Sequence, residues 1–402
     1  MSSILTNNGA MVALQTLKGI NSNLAKTQSD ISTGKAVASA KDNAAVWAIS
    51  KVMEADVESF KGVSDSLSLG SSTVAVARQA SETVNELLKQ VQSKIVAAQE
   101  SNVDRAKLQT DVTALTKQIS TVVGAAQFNG LNLVNGTAGA SVDILASLNR
   151  SSTGVTASSI TVDTHDLSIG GYTAKGVLAG STGVSTNMDA AGFTLNSGSG
   201  TGNIVIDDSA AAFAAGDSVS ITVGDKTASY TVTAEDVAAT TTSDMVAIGL
   251  KNAVDKLGIP SVTVDYDSAH PGQLKFDNTG TKDMVVSAQF KNAGSGGLAA
   301  LSAIDVTTSV GAKAALGAIQ GLMKTAIDSA AAFGSSEKRI DTQKDYLSKL
   351  GDSLKAGIGS MVDADMEETS ARLQALQTQQ QLGIQSLSIA NQAPQSILSL
   401  FR

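Results

Sequence analysis

The chain has 402 residues, with 29 basic and 37 acidic side chains, a formal charge of −8, and 42% hydrophobic but only 3% aromatic residues. It carries no cysteine and two histidines, His165 and His270, which excludes a disulfide framework and any cysteine-ligated zinc site. There is no basic stripe to track nucleic-acid phosphates, no apolar run near the ~18 residues of a membrane span, and no apolar segment with a small-residue cleavage site around Lys18, so no cleaved secretory signal is expected.

At the front, Ile4, Leu5, Met11, Leu14, Leu17, Ile20, Leu24 and Ile31 recur at helical spacing. A stricter pattern begins at Val46 and alternates steps of three and four through Ile49, Met53, Asp56, Phe60, Val63, Leu67, Gly70, Val74, Ala77, Ser81, Val84, Leu88, Val91 and Ile95. A heptad seam this long predicts a coiled-coil helix. From about residue 44 to 99 it would extend roughly 80 Å, a length suited to a rod. Trp47, the only tryptophan, reads as a packing anchor beside its start.

Residues 100–104 then form a turn, with Asp104 as N-cap of a helix carrying Leu108, Val112, Leu115, Ile119 and Val122 on one face, stopped by Asn129-Gly130. The middle of the chain turns to Gly, Ser, Thr, Val and Asp. In "DSVSITVGDKTASYTVT", Val219, Ile221 and Val223 share a face before a Gly224-Asp225 turn, and Tyr230 and Val232 follow. A helix over about 243–257 separates this hairpin from strands in "VTVDYD" and "QLKFDN", while "GSGTG" near 198 and "GSGG" near 294 read as boundary linkers.

The heptad spacing returns as Leu316, Ile319, Met323, Ala326, Ala330, Phe333, Glu337, Ile340, Lys344, Leu347, Gly351, Leu354, Ile358 and Met361. Beyond it, Leu373, Leu376 and Leu387 lie on a helix whose polar residues are neutral, and the chain closes on Ile397, Leu398, Leu400 and Phe401. Neutral faces of Gln, Ser, Asn and Thr favour partner helices over a membrane surface, which selects a lysine- and arginine-rich face. Pro394 limits how regularly the last helix can continue, so the final turn is expected to pack as a separate short element against its neighbours. Burying four large apolar side chains contributes about 6–12 kcal/mol, less than the roughly 12–24 kcal/mol needed to order twelve residues of backbone. The ends are therefore expected to order on meeting one another and other copies.

Sites of chemistry are weak. "DADMEE" (Asp363, Asp365, Glu367, Glu368) reads as the acidic first turn of a helix before it reads as a cation site, because it lacks the Gly and ligand spacing of a calcium loop. "DTHD" around His165 reads as a surface turn, and "GSGTGN" lacks the strand-turn-helix context of a phosphate loop. Asn135 and Asn149 head glycosylation-acceptor triplets, and no Ser sits in a nucleophile elbow. Neither an enzyme nor a cofactor is expected.

Three stretches, "SDISTGKAVASAKDNAAVWAIS", "RAKLQTDVTALTKQI…FNGLNLVNG" and "DADMEETSARLQALQTQQQLGIQSLSIANQAPQSILSLFR", together resemble bacterial flagellin, particularly of alphaproteobacterial type. The expected fold is α+β: long coiled-coil helices from both termini forming a rod, with an inserted β-rich outer domain. The resemblance implies that 1–40 and 362–402 pair as a filament core domain. Residues 41–136 and 308–361 form the rod, 137–175 a β-hairpin transition, and 176–307 the surface-exposed outer domain.

It implies export without a cleaved signal and polymerisation into the flagellar filament. The implied partners are other flagellin subunits, hook-filament junction proteins, the filament cap, an export chaperone and the flagellar export apparatus. A hook-filament junction protein is the alternative within the family, and an anchored coiled-coil adhesin the alternative outside it. Where receptor-stimulating flagellins carry an Arg-Glu-Leu read by a Toll-like receptor, this chain aligns Ser93, Lys94 and Ile95. Purified monomer is expected to give a weak or absent response in a receptor reporter assay, and a robust response overturns that expectation.

Overall fold

The computed structural model describes residues 7–151 and 154–400, with side chains described for 7–150 and 154–392. It divides into two units. The first comprises residues 1–65, 147–156 and 344–402, and the second 66–146 and 157–343.

Helix α1 (Asn8–Thr33) starts on Asn7, whose Oδ1 accepts from the amide of Ala10, and ends at Gly34, held at φ 69°. Helix α2 (Ala44–Ala97) is continuous, as is α6 (Ser309–Val362). Helix α3 (Arg105–Ala125) is capped by the Asp104 carboxylate, which accepts from Lys107 N. Arg105 reaches back to the carbonyls of Ala98 and Glu100, both at 2.7 Å, satisfying acceptors at the C-terminal end of α2 that have no partner within the helix.

In the second unit the seam of α2 is buried at Leu67, Val74, Val84, Leu88, Val91 and Ile95, and that of α6 at Ile319, Phe333 and Ile340. Leu316 and Met323 are half-buried. Arg78 joins the two helices by donating to Glu337 at 2.7 Å while also pairing with Glu82. The bond to Glu337, then that to Glu82, holds the guanidinium proton more tightly than usual.

Short strands β1 (Gln127–Phe128) and β2 (Leu131–Asn132) pair across a turn in which Asn129 and Gly130 both adopt positive φ. The long hairpin of β3 (Ser141–Ser151) and β4 (Gly154–Asp163) follows. Gly70 on α2 leaves room for Ile144 of this hairpin, since a Cβ there would stand 2.6 Å from it.

The insert contains two antiparallel sheets. One orders β5 (Ala190–Leu195), β11 (Met284–Lys291), β7 (Ser218–Val223) and β8 (Lys226–Thr231) as β5-β11-β7-β8. The other orders β6 (Gly200–Val205), β10 (Gln273–Asn278) and β9 (Val262–Tyr266) as β6-β10-β9. After the short α4 (Ala234–Ala238), helix α5 (Thr242–Asp255) lays Val246, Ala247, Leu250 and Val254 onto a core that includes Ile221, Phe276 and Phe290. Alternation on β7 buries Val219, Ile221 and Val223, as expected of a strand with one face on the core. Lys175, 2.6 Å from the buried carboxylate of Asp217, closes the loop before β5.

Two glycine-rich stretches expected as linkers are ordered parts of the insert. "GSGTG" runs into β6, where Gly202 faces Phe193: a Cβ there would lie 2.2 Å from the ring. In "GSGG", Gly296 and Gly297 sit against the backbone of Ser168 and Asp166 and donate hydrogen bonds to Gly170 and Asp166. Glycine is used there for close approach, not for freedom. His165 likewise differs from a surface turn, because its ring stands edge-on to the buried Phe333 at 5.2 Å.

Replacing Gly202 by Ala is expected to lower the stability of the insert by about 1–3 kcal/mol, the usual cost of overpacking. Chemical unfolding of the full chain followed through the insert checks this. An unchanged midpoint would restore the linker reading.

Candidate assembly interface

The first unit is organised by α1 and the last helix, α7 (Met366–Leu400). They run antiparallel: Asn7 meets Ala390, Leu17 and Ile20 meet Gly383, and Asn21 meets Gln380. At Gly383 a Cβ would come within 3.2 Å of Leu17 Cδ1, so the missing side chain lets α1 sit close. Gln380 Nε2 donates to Asn21 Oδ1 at 2.6 Å. Thr27 and Leu376 are buried in the seam, and Leu17, Ile20, Leu24, Ile31, Leu373 and Leu387 are half-buried along it.

Proline at 394 does not end α7, which continues to Leu400. Proline has no N–H to offer the carbonyl four residues earlier, which belongs to Ala390. Asn7 Nδ2 donates to that carbonyl at 2.8 Å. One side chain therefore caps the start of α1 with its oxygen and supplies α7 with the donor that Pro394 lacks.

The two helices meet along one narrow stripe each and leave apolar side chains on either side of it in solvent. Met11, Val12 and Leu14 on α1, and Leu382, Ile384 and Ile389 on α7, are 54–68% exposed. No charged residue occurs between Leu373 and Leu400. Ile4, Leu5 and Phe401, and the side chains of Ile397, Leu398 and Leu400, lie outside the described residues.

Between the terminal pair and the long helices, the chain ends are tied by backbone bonds. Ala36 and Val37 donate to the carbonyl of Val362, and Ala364 donates to Gly34. The acidic stretch that follows is a helix start, with Asp365 Oδ1 accepting from the amides of Glu367 and Glu368. Among the described residues no group of three or more His, Asp and Glu is placed to hold a metal ion. The Asp42 carboxyl sits below its ordinary pKa because the Ser39 hydroxyl, then the Ser39 amide and Lys26, donate to it.

The seam positions within this unit are less enclosed than those of the second. Val63 and Leu347 are buried, and Val46, Trp47, Met53, Phe60 and Leu354 are half-buried. Ile49 is exposed, and its neighbour Ser50 is turned inward instead, donating to the Trp47 carbonyl. Of the receptor-region residues, Ser93 is exposed, Lys94 is paired with Asp111 at 2.7 Å and Ile95 is buried.

Asn7, Asn21, Thr27, Gln380 and Gly383 were not singled out by apolar periodicity, which is blind to polar and absent side chains. Pro394 was the available signal. It announces an orphan carbonyl, though not the donor that answers it 383 residues away in the chain.

Comparison with known proteins matches both helical ends. Residues 4–139 fit the bacterial flagellin N-terminal helical region, and 311–401 the bacterial flagellin C-terminal helical region. Among curated proteins, flagellin D of Rhizobium meliloti is 35% identical over all of both chains. Flagellin FljK of Caulobacter vibrioides is 31% identical over all of this chain and 99% of its own. A solved structure of FliC from Burkholderia pseudomallei aligns with 67% of this chain and 99% of its own, at 18% identity and a TM-score of 0.33. With relatives named as flagellins matched from one end of the sequence to the other, the chain belongs to the bacterial flagellin family.

Proposed function

We propose that this flagellin, a structural subunit of the extracellular flagellar filament and not an enzyme, enters the filament through the exposed apolar side chains that flank the seam of α1 and α7. The observation that carries this reading is the exposure of Met11, Val12, Leu14, Leu382, Ile384 and Ile389, flanking the seam of two helices that already pair. Covering the exposed half of six such side chains contributes roughly 5–9 kcal/mol. Association costs about 4–15 kcal/mol. One such contact makes a weak dimer at best, whereas a helical lattice that covers both faces with several neighbours is stable.

Low charge supports the same reading, since few ions must leave water when the helices pack. In this reading Ile4, Leu5, Ile397, Leu398, Leu400 and Phe401 extend the contact, and the terminal pair is completed only on assembly. The long α2 and α6 seams serve as the rod, and the insert faces outward. Homology places the chain among flagellar proteins. Within that system the proposed contacts are with junction proteins, the cap, an export chaperone and the export apparatus. The relatives matched over their full length are named flagellins, which favours the bulk subunit over a junction protein.

Substituting Leu14→Glu is expected to raise the critical concentration for filament formation more than tenfold, while the monomer's unfolding free energy stays within about 0.5 kcal/mol of the parent, as for an exposed site. Leu376→Ala, by contrast, is expected to cost the pair about 2–3 kcal/mol through lost burial and a cavity. Sedimentation and electron microscopy read the first effect and calorimetry the second. Normal filaments from Leu14→Glu would remove the proposed face.

Asn7→Ala is expected to loosen both ends, with amide exchange near residues 8–12 and around Ala390 rising by about tenfold, the equivalent of roughly 1.4 kcal/mol. Asn7→Asp keeps the cap but loses the donor, so only the α7 side should loosen. Equal loosening of both ends by Asn7→Asp would show that the two bonds are not separable.

A further inference from the structure

The chain's net charge is not spread along it. Residues 164–308 hold 15 of the 37 acidic side chains and seven of the 29 basic ones, a net of −8. The remaining residues hold 22 acidic and 22 basic side chains, so they are neutral. No arginine occurs between Arg150 and Arg339. The whole excess is carried by the insert, and the helices that bring copies together carry none.

The acidic groups of the insert serve two purposes. Asp189, Asp217 and Asp236 are buried and internally bonded: Tyr172 donates to Asp189, Lys175 to Asp217 and Tyr230 to Asp236. Asp225, Glu235, Asp255, Asp265 and Asp283 are exposed and lie on separate elements. They occupy the β7–β8 turn, α4, the end of α5, β9 and the loop before β11. Spread this way they do not converge on an ion. Lys251 pairs with Asp255 at the surface, but such a pair contributes little and leaves the excess untouched.

We propose that the insert is an anionic coat whose function is to hold neighbouring filaments apart. The inference rests on the filament reading above, which places the insert outside. A filament repeats the subunit many times, so a net of −8 per copy becomes a densely charged surface. Net charge far from zero opposes association, and the repulsion acts over the Debye length, ~30 Å at about 0.01 M salt and ~3 Å at about 1 M. Neutral helical ends let copies join along one filament, while charged inserts prevent joining between filaments. Two opposed requirements on one chain are thereby assigned to different segments.

The test compares parent filaments with those of a variant carrying Asp225→Asn, Glu235→Gln, Asp255→Asn, Asp265→Asn and Asp283→Asn, and with a control that exchanges Asp and Glu at the same five sites. At about 0.01 M salt, the parent and the control are expected to stay dispersed. The amide variant should pellet at low speed several-fold more, as side-by-side bundles in electron micrographs. The parent should bundle in the same way at about 1 M salt, and on acidification to about pH 4, where carboxylates take up protons. Amide-variant filaments as dispersed as the parent's would overturn the coat while leaving the filament reading intact. If the variant does not assemble, the parent decides: dispersal that persists through high salt and pH 4 overturns the proposal. Parent protein that forms no filaments at all overturns the filament reading, and the coat with it.

Discussion

A pair of helices has only one seam, and that constraint governs this chain. When α1 and α7 lie against each other, each buries a stripe centred on residues such as Thr27 and Leu376 and leaves the rest of its circumference in solvent. A third or fourth helix would normally cover the remainder, and in a bundle the apolar arc is accordingly wide. Here the sequence keeps apolar residues beyond the stripe, and among the described residues they stay exposed. The first unit is therefore an incomplete bundle, whereas the second is closed around its own core by α2, α3, α6 and the strands.

The polar groups of α1 and α7 follow the same logic. An aliphatic seam between two isolated helices specifies register poorly, because Leu against Leu tolerates sliding. The bond from Asn7 to Ala390, that from Gln380 to Asn21 and the close contact at Gly383 fix the register at three places along the pair. Fixing register matters more than the stability each bond adds, about 1 kcal/mol or less for an exposed pair, since the outward faces present a coherent surface only if the helices are in phase.

Much of this architecture can be read from residues. The unbroken alternation from Val46 to Ile95 requires one helix and α2 is one; Val219, Ile221 and Val223 before Gly224-Asp225 require a hairpin, and β7 and β8 form it. What could not be read shares a cause, namely that the partner is remote in sequence. Gly202 is strand and not linker because Phe193 fills the space its side chain would take. His165 is a packing residue because α6 brings Phe333 beneath it. Ile49 satisfies the periodicity yet stays exposed, because Ser50 is turned inward beside it. Periodicity shows which face is apolar; which part of that face is covered within one copy depends on the neighbours.

The hydrogen bond between residue 7 and residue 390 also makes the proposed contact depend on both terminal helices at once. Its donor and its acceptor stand 383 residues apart in the sequence. A copy without α7, or without α1, would present only half of the pair, with either the donor or the acceptor absent. Presence of both α1 and α7 is thus a geometric condition on the proposed contact, met when the two helices close on each other.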